Sequence, residues 1–112
     1  MLVDIRIYTA APGKLPAFVK LYEEKAWPLQ KKYLENCLGW YATAEGELNT
    51  VVHIWGYKDM ADRDARRNAM AADPEWGTYL KAMAEAGVLV KMENRLARPT
   101  SFFAEFQAAK KG

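Results

Sequence analysis

The stretch from Leu48 to Tyr57, LNTVVHIWGY, constrains the fold of this chain more than any other segment. It is dense in β-branched and aromatic residues and lies near the middle of the sequence, which predicts a central β-strand. Because side chains alternate along a strand, one face of it carries Val52 and Ile54. The other face carries the only histidine with its neighbours: Val51, His53, Trp55 and Tyr57. An aromatic, hydrogen-bonding face of this kind needs a second layer, a ligand or another subunit to cover it.

The residues before this segment predict a strand, a helix and a second strand. Leu2 to Tyr8 alternates between apolar and polar side chains, and Cys37 to Ala44 is short and rich in aromatic residues, as half-buried strands are. Apolar residues at helical spacing from Leu15 onward predict a helix between them. Pro28 is expected to kink this helix near Trp27, because proline lacks an amide hydrogen and crowds the preceding turn.

The residues after the central segment predict a broken helix and a last strand. Asp59 is a candidate N-cap for a helix over Met60 to Ala72, and Asp73-Pro74 restarts that helix. Gly87 is expected to end it, and the alternating stretch Val88 to Leu96 predicts the final strand.

The element order β-α-β-β-α-β predicts an α+β fold, a ferredoxin-like antiparallel four-stranded sheet with both helices on one face. We assign the aliphatic stripes of the strands to the face beneath the helices: Val3, Ile5, Ile7, Val52, Ile54, Val88, Val90 and Met92. The other face is then predicted to be open and to carry a candidate site: Arg6, Tyr8, His53, Trp55, Tyr57, Lys91, Glu93 and Arg95. A hairpin loop with an even number of residues adds Trp40 to this face, an odd loop adds Tyr41, and we favour Trp40.

An open aromatic face implies a partner. Two helices can cover only one face of a four-stranded sheet, so we expect a homodimer whose sheets meet over Trp55 and Tyr57. Phe102, Phe103 and Phe106 follow the last strand on a short C-terminal segment. These three side chains are expected to pack on the core or on the second subunit.

The composition limits the class of protein. At 112 residues, the chain has room for one domain, with a core over about residues 2–103 and a tail over 104–112. Its 16 basic and 14 acidic residues are near balance, which argues against a nucleic-acid partner. The single cysteine, Cys37, is typical of proteins of the reducing cytosol, so we expect a cytoplasmic protein. The sequence has no apolar run long enough to span a bilayer, so no membrane association is expected.

Five segments, in this order, resemble the NIPSNAP family: Pro12-Gly13-Lys14-Leu15, Gly46 to Tyr57, Asp62-Arg63, Asp73-Pro74-Glu75-Trp76 and Glu93-Asn94. The resemblance extends from the first strand to about Phe103. It implies a dimeric α+β barrel, in which two ferredoxin-like subunits join their sheets around a central cavity. Relatives with that architecture include cofactor-independent monooxygenases and haem-degrading enzymes, although likeness of fold does not transfer a reaction.

His53 is the candidate catalytic residue. Positive charge from Arg6, Lys91 and Arg95 would favour the neutral imidazole, which suits a general base or a ligand anchor. The structural alternative is a histidine whose hydrogen bond is satisfied by Glu93 or by a carbonyl group across the sheet.

The other open-face residues also allow two interpretations. The aromatic residues Tyr8, Trp40, Trp55 and Tyr57 could stack a planar ligand or form an interface between subunits. The charged residues Arg6, Lys91, Glu93 and Arg95 could clamp a carboxylate or form an ion-pair ladder with Asp4. The charged segment 62–67 is interpreted as a solvated helix face. Neither a metal nor a flavin or other cofactor is expected, since the sequence has no ligand cluster and no glycine-rich phosphate loop.

Three classes of function are compatible with the sequence. The first is an enzyme, such as a cofactor-independent monooxygenase, that transforms a small aromatic or acidic metabolite in the barrel cavity. The second is a module that binds a small molecule or another protein without catalysis. The third is an RNA-recognition module, which ranks last because residues 49–54 lack the basic-glycine-aromatic motif of such sheets.

Overall fold

The computed structural model of this chain describes residues 1–111. Its elements in chain order are β1 (Leu2–Ala10), α1 (Leu15–Leu21), a π-helical turn (Tyr22–Ala26), α2 (Trp27–Tyr33), β2 (Cys37–Ala42), β3 (Thr50–Tyr57), α3 (Met60–Ala71), α4 (Pro74–Ala86), β4 (Leu89–Ala97) and α5 (Ser101–Lys111). The predicted order of strands and helices is confirmed, and α5 adds a helix after the last strand.

The four strands form one antiparallel sheet in the order β2-β3-β1-β4, so β3 lies inside the sheet as its sequence predicted. This confirms the α+β, ferredoxin-like fold class. Trp40 pairs with His53 across β2 and β3, which confirms the favoured hairpin register.

The helix boundaries follow the local sequence. The Asp59 carboxylate accepts a hydrogen bond from the Asp62 amide at 2.8 Å, and Asp73 caps α4 through the Glu75 amide at 2.9 Å. Gly87 ends α4 with a φ of 59°, in the left-handed region that favours glycine. The first helix changes to a π-helical turn and then restarts at Trp27, one residue before Pro28. The irregularity that we expected near Trp27 from this proline is therefore present.

The helices cover the opposite face of the sheet from the one that we predicted. Tyr8, His53 and Trp55 are buried beneath the helices, whereas Val52 and Ile54 are only half-buried on the bare side. Large aromatic side chains fill the space between two layers and meet the aromatic side chains that the helices supply. The shorter β-branched side chains leave a flatter surface, which suits packing against a second sheet about 10 Å away.

The register of β4 also differs from the prediction. Arg6 pairs with Asn94, and Tyr8 pairs with Met92, so alternate β4 residues from Met92 lie on the helix side. Val88 is buried, as expected, but Val90 lies at a bulge and is exposed. The charged residues of β4 instead lie on the bare face, with Lys91 opposite Thr9, Glu93 opposite Ile7 and Arg95 opposite Ile5.

Two apolar surfaces remain uncovered in the single chain. The bare sheet face carries the aliphatic side chains Val3, Ile5, Ile7, Val52 and Ile54. Phe102, Phe103 and Phe106 on α5 are exposed, so they do not staple this helix onto its own core. Among the described residues, no helix combines the length and apolar character needed to cross a bilayer.

Candidate functional site

A cavity of about 420 Å³ lies between the sheet and the helices, and we call it the sheet–helix cavity. Strands β1 and β4, the π-helical turn and helices α2, α3 and α4 supply its walls. Its lining residues are Arg6, Tyr8, Tyr22, Gln30, Arg67, Trp76, Tyr79, Leu80, Met83, Ala84, Leu89 and Met92. Two guanidinium groups are therefore the charged groups of the lining, and no carboxylate belongs to it.

Arg6 is held in the cavity wall by two neighbours on its own strand. Its Nη1 lies 3.1 Å from an Asp4 carboxylate oxygen, and its Nε donates to the Tyr8 hydroxyl oxygen at 2.8 Å. The i to i+2 spacing of β1 places all three side chains on the helix side of the sheet. This arrangement fixes the guanidinium plane before any ligand arrives.

Asp4 is the buried centre of this network. It is fully buried and also accepts hydrogen bonds from Arg63 Nε and Asn94 Nδ2, each at 3.1 Å. Burial alone would raise the pKa of this carboxyl group. The hydrogen bond from Asn94 and the charges of Arg6 and Arg63 outweigh burial and hold the pKa of Asp4 below its ordinary value.

Arg67 brings a second positive charge to the cavity from α3. It forms no ion pair with another described residue, whereas Arg63 on the same helix is paired with Asp4. Beside the cavity, the buried carboxylate of Asp4 is shared by Arg6 and Arg63, and Arg67 adds a further guanidinium group. The region keeps an excess of positive charge next to apolar walls, where a charge interacts more strongly than it does in water.

Tyr22 and Tyr79 supply neutral phenol groups to the cavity wall. The Tyr22 hydroxyl donates to the side-chain oxygen of Gln30. Burial raises the pKa of both tyrosines above the ordinary value. Both hydroxyls therefore stay protonated at neutral pH and can act as hydrogen-bond donors.

His53 lies behind the cavity wall rather than in it. Its ring is fully buried, 4.8 Å from the Tyr8 ring and 5.1 Å from the Trp40 ring between centroids. The Trp55 indole donates from Nε1 to His53 Nδ1 at 2.8 Å. Because an indole can only donate, Nδ1 carries the lone pair and the single proton of the neutral ring is assigned to Nε2.

A neutral His53 was predicted from the charge of nearby cations, whereas the structure points to burial as the main cause. Burial, followed by the charge of Arg6, lowers the pKa of His53 to about 3. Its lone pair is already used by Trp55, so the ring is poorly suited to act as a general base. Its Nε2 hydrogen has no acceptor among the described residues.

The predicted site residues are only partly brought together. Arg6 and Tyr8 line the cavity, while Trp40, Trp55 and Tyr57 pack in the core beside it. The charged residues predicted on β4 lie on the other face of the sheet: Lys91, Glu93 and Arg95. They belong to no common site with His53, and Lys91 Nζ instead lies 3.5 Å from Glu93 Oε1.

Sequence reasoning missed several lining residues, of which Arg67 is the most important. It stands in the charged segment 62–67, which we interpreted as a solvated helix face. That interpretation holds for Arg66, which pairs with Asp62 and Glu35, but it is wrong for Arg63 and Arg67. Within the described part of the chain, no group of three or more His, Cys, Asp or Glu side chains could hold a metal ion.

Comparisons with known proteins agree on one family. A family model described as NIPSNAP matches residues 3–104 of this chain. Protein NipSnap homolog 3A of Homo sapiens is 36% identical over 73 residues, which cover 65% of this chain and 29% of the human protein. The match to the curated relatives thus spans less than a third of their length.

Solved structures place the fold in the same group. A NIPSNAP-like domain protein from Burkholderia xenovorans has a TM-score of 0.82 and 37% identity, over 90% of this chain and 86% of that one. An antibiotic biosynthesis monooxygenase has a TM-score of 0.60 and 18% identity, over 89% of this chain and 99% of that one. The second likeness is one of fold alone.

Proposed function

From the fact that this chain belongs to the NIPSNAP family, we propose that its function is to bind a small organic acid in the sheet–helix cavity. The observation that carries the proposal is the pair of guanidinium groups, Arg6 and Arg67, on a cavity whose lining has no carboxylate. A guanidinium group is the side chain best matched to a carboxylate, because its planar donors bind both oxygens. The cavity volume of about 420 Å³ is within the range of small-molecule sites, roughly 300 to 1,000 Å³.

The two arginines have different parts in this proposal. Asp4 and Tyr8 occupy Nη1 and Nε of Arg6, so this side chain presents a fixed edge to a ligand. Arg67, which has no acidic partner among the described residues, would supply the charge that neutralises the ligand. Tyr79 and Trp76 add aromatic surface, which suits a ligand with a planar or apolar part.

Chemical transformation of the bound acid is the second candidate function. One observation favours it: the buried Nε2 hydrogen of His53 is unpartnered and lies beside Tyr8 and Tyr22, which line the cavity. A neutral imidazole can stabilise negative charge that develops on an oxygen atom, as a preorganised donor in a water-poor site. A monooxygenase-like reaction without a cofactor would then show as oxygen uptake that depends on the acid and is lost in His53→Asn.

We expect Arg67→Gln to weaken binding of an aromatic acid by about 10- to 100-fold, because it removes a charged hydrogen bond worth about 1.5–3 kcal/mol. A suitable probe is 2-naphthoate, followed by calorimetry or by quenching of the protein's tryptophan fluorescence. Arg66→Gln is the matched control, since Arg66 is on the same helix but pairs with Glu35 and Asp62 outside the cavity. Equal affinity of the two variants, or equal binding of the neutral analogue 2-naphthylmethanol, would contradict the proposal.

We also propose that the protein is a homodimer that joins the bare faces of two sheets. This is the face opposite to the one predicted from sequence, and it carries aliphatic residues such as Ile5, Ile7 and Ile54. Joining two whole sheets gives an interface of the size that obligate dimers need, roughly 2,000 Å² or more. The family resemblance implies the same pairing.

We expect Ile54→Asp to convert the dimer to single chains at micromolar concentration, because the carboxylate would be buried unpaired between the sheets. Sedimentation equilibrium measures the mass independently of molecular shape. Ala65→Asp, at an exposed position on α3, is the control and should leave the mass unchanged. A wild-type mass equal to one chain would disprove the dimer and leave the proposed cavity untouched.

A further inference from the structure

The polar and apolar groups of the sheet–helix cavity come from different elements. Arg6 and Tyr8 on β1, Gln30 on α2 and Arg67 on α3 supply its charged and hydrogen-bonding groups. The residues from α4 and β4 are mostly aliphatic or thioether side chains: Leu80, Met83, Ala84, Leu89 and Met92. The cavity therefore has a cationic side and an apolar side.

The apolar side opens to solvent through large exposed side chains. Leu80 is 51% exposed and Met92 is 64% exposed, although both line the cavity. Met92 is on the helix side of β4, and Leu80 is on α4. Two large apolar side chains at the opening of a cavity leave surface that an apolar ligand group would remove from water.

The cationic side of the cavity has two guanidinium groups, and one of them already has partners. Nε and Nη1 of Arg6 already contact Tyr8 and Asp4, so most of the remaining positive charge comes from Arg67, which forms no ion pair with another described residue. A second carboxylate at the far end of the ligand would lie near Leu80, Met83 or Met92, where it would gain no cationic partner and would reduce the apolar surface that binding removes from water.

We propose that the ligand is a monocarboxylate with an extended apolar tail, bound with its carboxylate at Arg67 and Arg6 and its tail between α4 and β4. This inference rests on the proposed function and names the class of acid. Thioether side chains suit such a tail, because methionine adapts its shape to flexible apolar groups at little cost.

The test is a titration of the full chain with straight-chain monocarboxylates from butanoate to dodecanoate, each below its micelle-forming concentration. Affinity should rise by about fourfold for each added methylene group and level off once the tail passes the opening. Dicarboxylates and primary alcohols of the same length should bind more weakly. A dicarboxylate lacks the apolar end of the tail, and an alcohol lacks the carboxylate.

Leu80→Gln and Met92→Gln should flatten the dependence of affinity on chain length, so that the affinity for dodecanoate falls by a larger factor than the affinity for butanoate. Met60→Gln is the matched control, since Met60 is exposed but does not line the cavity. Binding that is independent of tail length, or stronger for dicarboxylates, would overturn this inference and leave the proposed function standing. No binding of any acid would overturn both. A change in sedimentation mass with unchanged affinity in the two variants would assign the apolar opening to a subunit contact and also overturn it.

Discussion

Replacement of Asp4 by asparagine is expected to lower the free energy of unfolding by about 3–5 kcal/mol, the range for removing one partner of a buried ion pair. Asp4 is fully buried, and its carboxylate is the shared partner of Arg6 and Arg63. Without it, the two guanidinium groups lose their shared buried counter-charge, and only the exposed Asp64 carboxylate stays near Arg63. Urea unfolding followed by tryptophan fluorescence measures the loss.

Asp64→Asn provides the matched control for this prediction. Asp64 also approaches Arg63, but at 3.9 Å and with 61% of its side chain exposed. Such surface pairs contribute about 0–1 kcal/mol, so this variant should unfold almost like the wild type. Similar losses in the two variants would contradict a special role for the buried carboxylate.

Asp4 should also affect the stability of the protein in acid. Its pKa in the folded chain is below the ordinary value of 3.8, so the folded state binds this proton less readily than the unfolded chain does. The stabilisation is therefore complete at neutral pH and is lost as the pH falls below 3.8 towards the folded value. Asp4→Asn should also weaken the binding of an acid in the cavity, because Asp4 fixes the orientation of Arg6.

Local features of this fold could be predicted from sequence because they depend on a few neighbouring residues. The caps Asp59 and Asp73 act within one helical turn, and the pairing of Trp40 with His53 follows from the length parity of one hairpin. The order of the predicted elements indicated the topology that joins these pieces, and the strand order β2-β3-β1-β4 confirms it.

The faces of the sheet could not be predicted in the same way. The alternation of side chains along β3 places Val52 on one face and His53 on the other. It does not say which of the two faces the helices cover. We gave the helices the aliphatic set because apolar residues favour burial, whereas the aromatic set is also apolar and larger. Here Phe18 on α1 and Tyr22 on the π-helical turn favour the aromatic set, because they pack around Tyr8, Trp40 and His53.

The residues that line the cavity could not be predicted from sequence, for a related reason. Arg67 and Arg66 are neighbours with the same side chain, and only the packing of α3 against the sheet directs one inward and the other outward. On β4, a shift of one residue exchanges Lys91 and Met92 between faces. A candidate site that draws on several elements thus depends on registers that no single segment encodes.

His53 should dominate the loss of stability between pH 6.5 and about pH 3. Its folded pKa is lowered from 6.5 to about 3, so the folded ring stays neutral in an interval where the unfolded ring binds a proton. The free energy of unfolding of the wild type should therefore be highest above pH 6.5 and fall by up to about 1.4 kcal/mol per pH unit below it. Over the whole interval the expected loss is of the order of 4 kcal/mol, which is a large part of the stability of a domain this size.

His53→Asn separates this titration from the packing of the ring. Asparagine keeps an acceptor for the Trp55 indole near the position of Nδ1 but has no proton to gain. The variant should be less stable than the wild type at pH 7, because the smaller side chain leaves a gap beside Tyr8 and Trp40. Its unfolding free energy should nevertheless be nearly flat between pH 6.5 and 4, so that the two curves approach each other as the pH falls. Parallel curves would show that His53 takes up a proton in the folded chain as it does in the unfolded chain, and that its burial does not hold it neutral.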